Sequence, residues 1–227
     1  IGGGRATRFL LEGWKRAGCL PPSVRVADCN PDVSNALVRD FPDVAIATVA
    51  EAAASELVVL SVHPPAIHEV IAAIKSHLRA DAVVLSLAPK ITSLAMAASL
   101  GTRRIVRMIP NAPSAFGKGY NPVSYFDGID DDTKAALTVL FAPWGDAPEV
   151  PEKDLEAYAM ISAMGPTYMW FQWQTLRELA VTFGLDPVSA DRALLRMIEG
   201  AAHCLLTSGK EPGDVMNMIQ VKPLQDD

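Results

Sequence analysis

Cysteine is scarce in this sequence. The three cysteines are dispersed along the chain and contain no CxxC pair; they are Cys19, Cys29 and Cys204. An odd, scattered set of this kind argues against a disulfide framework and against a zinc site. No secretory segment is visible. We therefore expect a protein of the reducing cytoplasm that holds no metal.

An excess of positive charge is also absent. The formal net charge is -6 and the isoelectric point is near 5.2. Binding to nucleic acid or to an anionic membrane surface is driven by Lys and Arg, which release counterions from phosphate groups. We therefore expect neither nucleic acid nor a membrane as a partner, and favour a small-molecule ligand.

Charged residues are missing from one stretch of twenty positions, residues 157–176, which is the length of a membrane span. Polar side chains such as Ser162 and Gln172 lie within it, and Gly165-Pro166 interrupts the helical pattern, so we reject a span. A helix that is apolar on most of its circumference must be buried, and a small helical domain has too little interior to bury it alone. The stretch predicts a homodimer formed through the C-terminal helices.

A glycine-rich turn stands at the head of the chain and opens directly into an apolar-periodic segment. Such a turn lets bare backbone approach a pyrophosphate, while the following helix N-terminus presents free N–H groups to the negative charge. Gly2 and Gly4 fill the first two small positions of the dinucleotide fingerprint, and Thr7 stands at the third. The alternative is an ordinary turn. We expect Ile1 to be the end of a first strand, and the turn to bind a cofactor through Gly2, Gly4, Arg5, Ala6 and Thr7.

Beyond this turn, apolar runs typical of buried strands alternate with helical patterns as far as residue 141. That alternation predicts an α/β fold with a doubly wound parallel sheet. A proline-rich segment, residues 143–151, suggests a boundary, and only helical pattern follows. At 227 residues, two domains are expected: a Rossmann-type dinucleotide-binding domain over residues 1–150 and an all-helical dimerisation and substrate domain over residues 151–227.

Several motifs, in order, resemble those of the pyrroline-5-carboxylate reductase family. They are the glycine turn, the strand end Val62-His63-Pro64, the segment Arg107-Met108-Ile109-Pro110-Asn111-Ala112-Pro113, and Ser162-Ala163-Met164-Gly165-Pro166-Thr167-Tyr168. Together they cover nearly the whole chain. The resemblance implies a Rossmann domain followed by a helical dimerisation domain, and an NAD(P)-dependent reductase that makes proline from a cyclic imine acid.

The same resemblance exposes departures from the family pattern. His63 stands where the family has Lys, and Ala88-Pro89-Lys90 replaces a small Ala-Gly element. The family's carboxylate-binding loop, Ser-Pro-Gly-Gly-Thr-Thr, corresponds to residues 220–224, where its glycines and threonines are missing. Lys222 or Lys90 could supply a point charge in place of the backbone donors of that loop. The exact acid that serves as substrate is left open.

Residues after the predicted strands complete the candidate cofactor site. Asp28 lies 24 positions after Gly4, close to where an acid bonds the ribose 2′-hydroxyl, so we favour NAD over NADP, although Arg5 or Arg25 could reach a 2′-phosphate. The alternatives are a simple turn for Asn111 between its prolines and a loop role for His63. The remaining predicted cofactor contacts are Val62, His63, Pro64, Ala88, Asn111 and Pro113.

Catalysis needs little beyond the nicotinamide, because a protonated C=N bond is already activated. Ser162 and Tyr168 are candidates to orient the imine, and Lys222 to hold its carboxylate. The alternatives are a helix cap for Ser162 and interface packing for Tyr168. A second function also stays open, a dinucleotide-binding sensor or interaction module without catalysis.

Overall fold

A computed structural model describes residues 1–219, so Lys222 and the segment 220–224 lie outside the described residues. The strands are β1 (Val24–Val26), β2 (Val44–Ile46), β3 (Leu57–Leu60), β4 (Val83–Ser86), β5 (Ile105–Met108), β6 (Gly119–Tyr120), β7 (Val123–Tyr125) and β8 (Gly145–Asp146). The helices are α1 (Arg5–Ala17), α2 (Pro31–Asp40), α3 (Val49–Ala53), α4 (Ile67–Ile74), α5 (Ser93–Leu100), α6 (Asp131–Phe141), α7 (Leu155–Tyr158), α8 (Gly165–Thr182), α9 (Pro187–Leu206) and α10 (Pro212–Met216). Residues Ala159–Ala163 form a π-helix.

The main sheet has the strand order β3-β4-β5-β7, in which the first three strands are parallel and β7 is antiparallel to β5. β1 and β2 form a separate parallel pair. Ile1 and Gly2 lie between the two sheets: the Gly2 N–H donates to the Ala27 carbonyl at 2.8 Å, and the Ser61 N–H donates to the Ile1 carbonyl at 2.8 Å. These two residues sit as the end of a central strand would. The glycine turn therefore emerges at the edge where β1 and β3 end.

Helices cover both faces of the sheet, as the alternation of strands and helices predicts. Leu85 of β4 packs in a core with residues of α1, α2 and α6, whereas its neighbour Val84 packs in a second core with residues of α3, α4 and α5. Successive side chains of a strand point to opposite faces, so one apolar run supplies both cores. The doubly wound α/β architecture is confirmed.

Several local signals in the sequence have the expected structural result. The first helix ends at Gly18 in the left-handed conformation, and Thr48 and Glu51 form a complete capping box at α3. The sequence pattern did not predict three short strands, namely β6, β7 and β8. β6 and β8 have only two residues each, which is too few to show an alternation of apolar and polar side chains.

Two compact units divide the chain, one over Ile1–Gly165 and one over Pro166–Asp227. This division falls later than the boundary near residue 150 that composition suggests. Between residues 1 and 219, no helix is long and apolar enough to cross a membrane.

Candidate active site at the carboxyl edge of the sheet

The glycine turn ends at a helix N-terminus that is open to a ligand. The first helical hydrogen bond of α1 runs from the Arg8 N–H to the Gly4 carbonyl, at 3.1 Å. The N–H groups of Arg5, Ala6 and Thr7 therefore have no hydrogen-bond partner among residues 1–219. Free N–H groups at the positive end of a helix dipole form a binding site for an anion such as a pyrophosphate.

Two glycines of the turn are required for different reasons. Gly2 has φ +93°, and a Cβ there would lie 2.2 Å from the Ser61 carbonyl oxygen, so the fold itself excludes a side chain. A Cβ on Gly4 would have nothing within 4 Å and would project into the open space at the helix N-terminus. At the third fingerprint position, Thr7 donates its hydroxyl to the Gly2 carbonyl at 2.5 Å and so closes the turn. The turn thus leaves room for a cofactor phosphate next to Gly4.

Asp28 follows β1 and braces the same turn. One carboxylate oxygen accepts the Gly3 N–H at 2.7 Å, and the other accepts the Asn30 N–H at 2.8 Å. Each carboxylate oxygen has two lone-pair sites, so both can accept a further hydrogen bond from a ribose hydroxyl. Asp28 therefore holds the turn and keeps lone pairs for a further hydrogen bond, and its expected contact with a ribose stays a prediction.

The loops after β3, β4 and β5 continue along this edge because the three strands are parallel. Val62 and Pro64 are half-buried after β3, His63 between them is exposed, and Ala88 is buried after β4. Pro113 is the second residue of a short 3-10 helix, Ala112–Phe116, after β5. The structure thus places all the predicted cofactor contacts from three strand ends at one edge.

Asn111 after β5 is buried, and its side chain is used within the protein. The amide nitrogen donates to the Ser162 carbonyl at 3.0 Å, while the amide oxygen accepts the Tyr120 N–H at 3.2 Å and the Ser114 hydroxyl at 3.4 Å. The hydrogen bond from Asn111 to Ser162 therefore joins the loop after β5 to the π-helix. Its expected role as a ligand to the cofactor stays a prediction.

Ser162 is brought to this edge by Asn111. Its hydroxyl donates to the Tyr158 carbonyl at 2.9 Å, one turn earlier, so it does not cap a helix. Tyr168 lies in α8 within the second compact unit and is exposed. Of the three predicted catalytic residues, Ser162 lies beside the strand ends of its own unit, Tyr168 belongs to the other unit, and Lys222 lies outside the described residues.

An ion-pair cluster around a buried arginine at this edge was not anticipated from the sequence. Arg107, on β5, has a side chain only 4% exposed and binds Glu152 at 3.1 Å and Glu156 at 3.0 Å. Glu152 also accepts the N–H and the hydroxyl of Ser93, and Glu156 accepts the Lys90 N–H at 2.7 Å. The signal for it was a charged residue within an apolar strand, because a buried charge needs a partner. The cluster ties the loop after β4 to the segment that leads into the π-helix.

The pKa of Glu152 reflects these contacts. Burial alone would raise this pKa, but hydrogen bonds from Ser93 and Arg107 outweigh burial and lower it.

In residues 1–219, no group of three or more His, Cys, Asp and Glu side chains could hold a metal ion.

Comparison with known proteins identifies the family of this chain. Residues 1–90 match the family described as "NADP oxidoreductase coenzyme F420-dependent", and residues 152–223 match "Pyrroline-5-carboxylate reductase dimerisation". The pyrroline-5-carboxylate reductase of Corynebacterium melassecola is 32% identical over 95% of this chain and 82% of its own length. The chain belongs to the pyrroline-5-carboxylate reductase family.

Solved structures agree with this membership. A pyrroline-5-carboxylate reductase from Coxiella burnetii matches with a TM-score of 0.74 and 25% identity, covering 98% of this chain and 84% of that one. The Plasmodium falciparum pyrroline carboxylate reductase with NADP bound matches with a TM-score of 0.75 at 20% identity, with the same coverage, and supports the fold. The family resemblance read from the motifs is confirmed, and NAD(P) is the cofactor class.

The two glycines give a paired prediction. Gly2→Ala should cost about 3 kcal/mol or more of folding free energy, because the methyl group meets a carbonyl oxygen at a positive φ. Gly4→Ala should change stability by less than about 1 kcal/mol yet weaken NADH binding at least about tenfold, since its methyl group occupies the space before the helix N-terminus. Urea unfolding and calorimetric titration measure the two effects. Unchanged cofactor affinity in Gly4→Ala would contradict the assignment of the turn.

The ion-pair cluster gives a prediction for pH. Glu152→Gln should lower stability by about 1.5–3 kcal/mol at pH 7, because a charged acceptor of several hydrogen bonds is lost. Since the folded-state pKa of Glu152 is lowered, its contribution is complete above the unfolded pKa of about 4.3 and disappears as pH falls through the folded value. The difference between wild type and variant should therefore shrink below about pH 4. Urea unfolding from pH 3 to 7 tests this, with Glu69→Gln on the surface of α4 as control; a pH-independent difference contradicts it.

Proposed function

We propose that this chain is an NAD(P)H-dependent reductase of a small cyclic imine acid, with pyrroline-5-carboxylate as substrate and proline as product. The observation that carries the proposal is the open N-terminus of α1 beside Gly4, at the same sheet edge as the loop that holds Ser162. In open α/β sheets, ligands bind outside the carboxyl ends of the strands. Family membership supports the reaction, because the relative from Corynebacterium melassecola is named for it.

The residues of the chain need to supply little chemistry in this reaction beyond orienting the imine. The bound nicotinamide would supply a hydride to the carbon of the C=N bond, whose nitrogen keeps the proton it already carries and becomes an amine. The Ser162 hydroxyl donates a hydrogen bond to the Tyr158 carbonyl. Its oxygen lone pairs are therefore free to accept a hydrogen bond from the N–H of a protonated imine. Ser162 would thus orient the imine without acting as an acid. Tyr168 and Lys222 stay proposed contributors to orientation and to carboxylate binding.

NAD is the proposed cofactor rather than NADP. The Asp28 carboxylate at the end of β1 favours a free ribose 2′-hydroxyl, which can donate to it, and would repel a 2′-phosphate. The following residue, Cys29, is exposed and carries no positive charge to bind that phosphate. Arg5, at the start of α1, and Arg25, on β1, are the alternatives for a phosphate contact.

We also propose a homodimer in the cytoplasm, assembled through the helices of the second unit, with no nucleic-acid partner. Large apolar side chains of α8 are exposed, including Met169, Trp170, Phe171, Leu176 and Leu179. Exposed apolar patches of this extent mark interaction surfaces. The match of residues 152–223 to the dimerisation family supports self-association.

Turnover is tested by following oxidation of NADH and NADPH with pyrroline-5-carboxylate, pyrroline-2-carboxylate and related imines. Reduction of pyrroline-5-carboxylate is expected, with kcat/KM at least about tenfold higher for NADH than for NADPH because of Asp28. Asp28→Asn should narrow this preference. Tight cofactor binding without turnover of any imine would instead favour a dinucleotide-binding sensor, and a tenfold preference for NADPH would reverse the cofactor proposal.

Self-association is tested by sedimentation equilibrium at micromolar concentration. The wild type should be a dimer, and Trp170→Glu should weaken association by about 100-fold or more, because a charge would be buried in an apolar interface. Val139→Glu serves as matched control, since Val139 is an exposed apolar residue of α6 in the first unit. A monomeric wild type would contradict the proposal.

A further inference from the structure

Lys90 has an unusual backbone conformation. Its φ is +65°, and within residues 1–219 every other residue with a positive φ is a glycine. The left-handed conformation costs a residue with a Cβ roughly 1–2 kcal/mol, and strain of this kind concentrates at functional sites. Lys90 therefore stands in a position that glycine would occupy at lower cost.

Specific contacts hold this conformation in place. The Lys90 N–H donates to Glu156 at 2.7 Å, and Glu156 is itself bound by the buried guanidinium of Arg107. The preceding Ala88 is buried, and its carbonyl lies 3.5 Å from Arg107. The backbone of Lys90 is thus fixed by the ion-pair cluster, whereas its side chain is exposed.

The strained residue Lys90 lies at the carboxyl edge of the sheet, which carries the candidate site. β4 lies between β3 and β5, so the loop that carries Lys90 emerges between the loop of His63 and the loop of Asn111. This is the edge at which the proposed function places nicotinamide and imine. The Lys90 ammonium has no carboxylate within ion-pair distance among the described residues. A fixed backbone therefore carries a cation without a carboxylate partner among the described residues, in the middle one of the three loops at this edge.

We propose that Lys90 is a specificity-determining residue that binds the carboxylate of the substrate. The inference rests on the proposed function, because it names the group that recognises the acid in that site. An ammonium selects an anion by charge and needs no fixed geometry, in contrast to a loop of backbone donors. Lys90 thereby favours an imine that carries a carboxylate over the same ring without one.

The test compares pyrroline-5-carboxylate with 1-pyrroline, which lacks the carboxylate. Lys90→Asn removes the charge while keeping a residue that tolerates the left-handed conformation, and Lys90→Arg keeps the charge. We expect Lys90→Asn to raise KM for the acid about tenfold or more, the worth of one charge-assisted hydrogen bond, with kcat and the kinetics of 1-pyrroline changed less than about threefold. Lys90→Arg should retain most of the preference for the acid. Lys75→Asn, after α4 at the opposite edge of the sheet, is the control for lost charge and should behave as wild type.

An equal effect of Lys90→Asn on both imines, or no effect on either, would overturn the inference. A rise in KM for NADH instead would assign the charge to the cofactor and overturn it as well. Absence of turnover with both imines in the wild type contradicts the proposed function, and binding then decides the inference. Calorimetric titration with L-proline and with pyrrolidine, in the presence of NAD⁺, should show a preference for proline that Lys90→Asn abolishes. A wild type without that preference overturns the inference.

Discussion

The burial of one charge, that of Arg107, governs the architecture at the carboxyl ends of β4 and β5. A guanidinium in the middle of a buried strand is tolerated only when acids and carbonyl groups surround it. Glu152 and Glu156 meet this demand, and each also accepts a backbone N–H, Glu156 from Lys90 in the loop after β4 and Glu152 from Ser93 at the start of α5. A single electrostatic requirement therefore fixes where that loop lies relative to β5 and to the segment before the π-helix.

Much of the fold could be predicted from the sequence, because its signals are local. The run Leu57–Leu60 is apolar on both faces and forms strand β3 of the main sheet, and Thr48 lies three residues before the Glu that completes its capping box. The π-helix at Ala159–Ala163 could not be predicted, since its extra residue per turn leaves no distinct pattern of apolar side chains. Arg107 suggested the need for a partner, but its acids lie 45 and 49 residues away, beyond the reach of any local rule.

Chemical roles were harder to predict than positions. Asn111 and Asp28 are predicted cofactor contacts, and both also bond main-chain groups of the protein, Asn111 through its amide and Asp28 through both carboxylate oxygens. Polar side chains at strand ends must satisfy the loops around them before they can serve a ligand. The two side chains differ in the hydrogen-bonding capacity that remains for a ligand. A carboxylate keeps spare lone pairs after two bonds, whereas the Asn111 amide already has partners at both its nitrogen and its oxygen.

The glycine turn separates demands of folding from demands of binding. At Gly2 the backbone conformation and the Ser61 carbonyl exclude a side chain, so this glycine would be needed in a protein that bound nothing. At Gly4 the backbone is extended and the space around a Cβ is open, so folding has little use for glycine there. Steric freedom within the protein thus makes Gly4, rather than Gly2, the more informative sign of a ligand. A glycine that could carry a side chain, placed at a free helix N-terminus, is what close approach of a phosphate to the backbone requires.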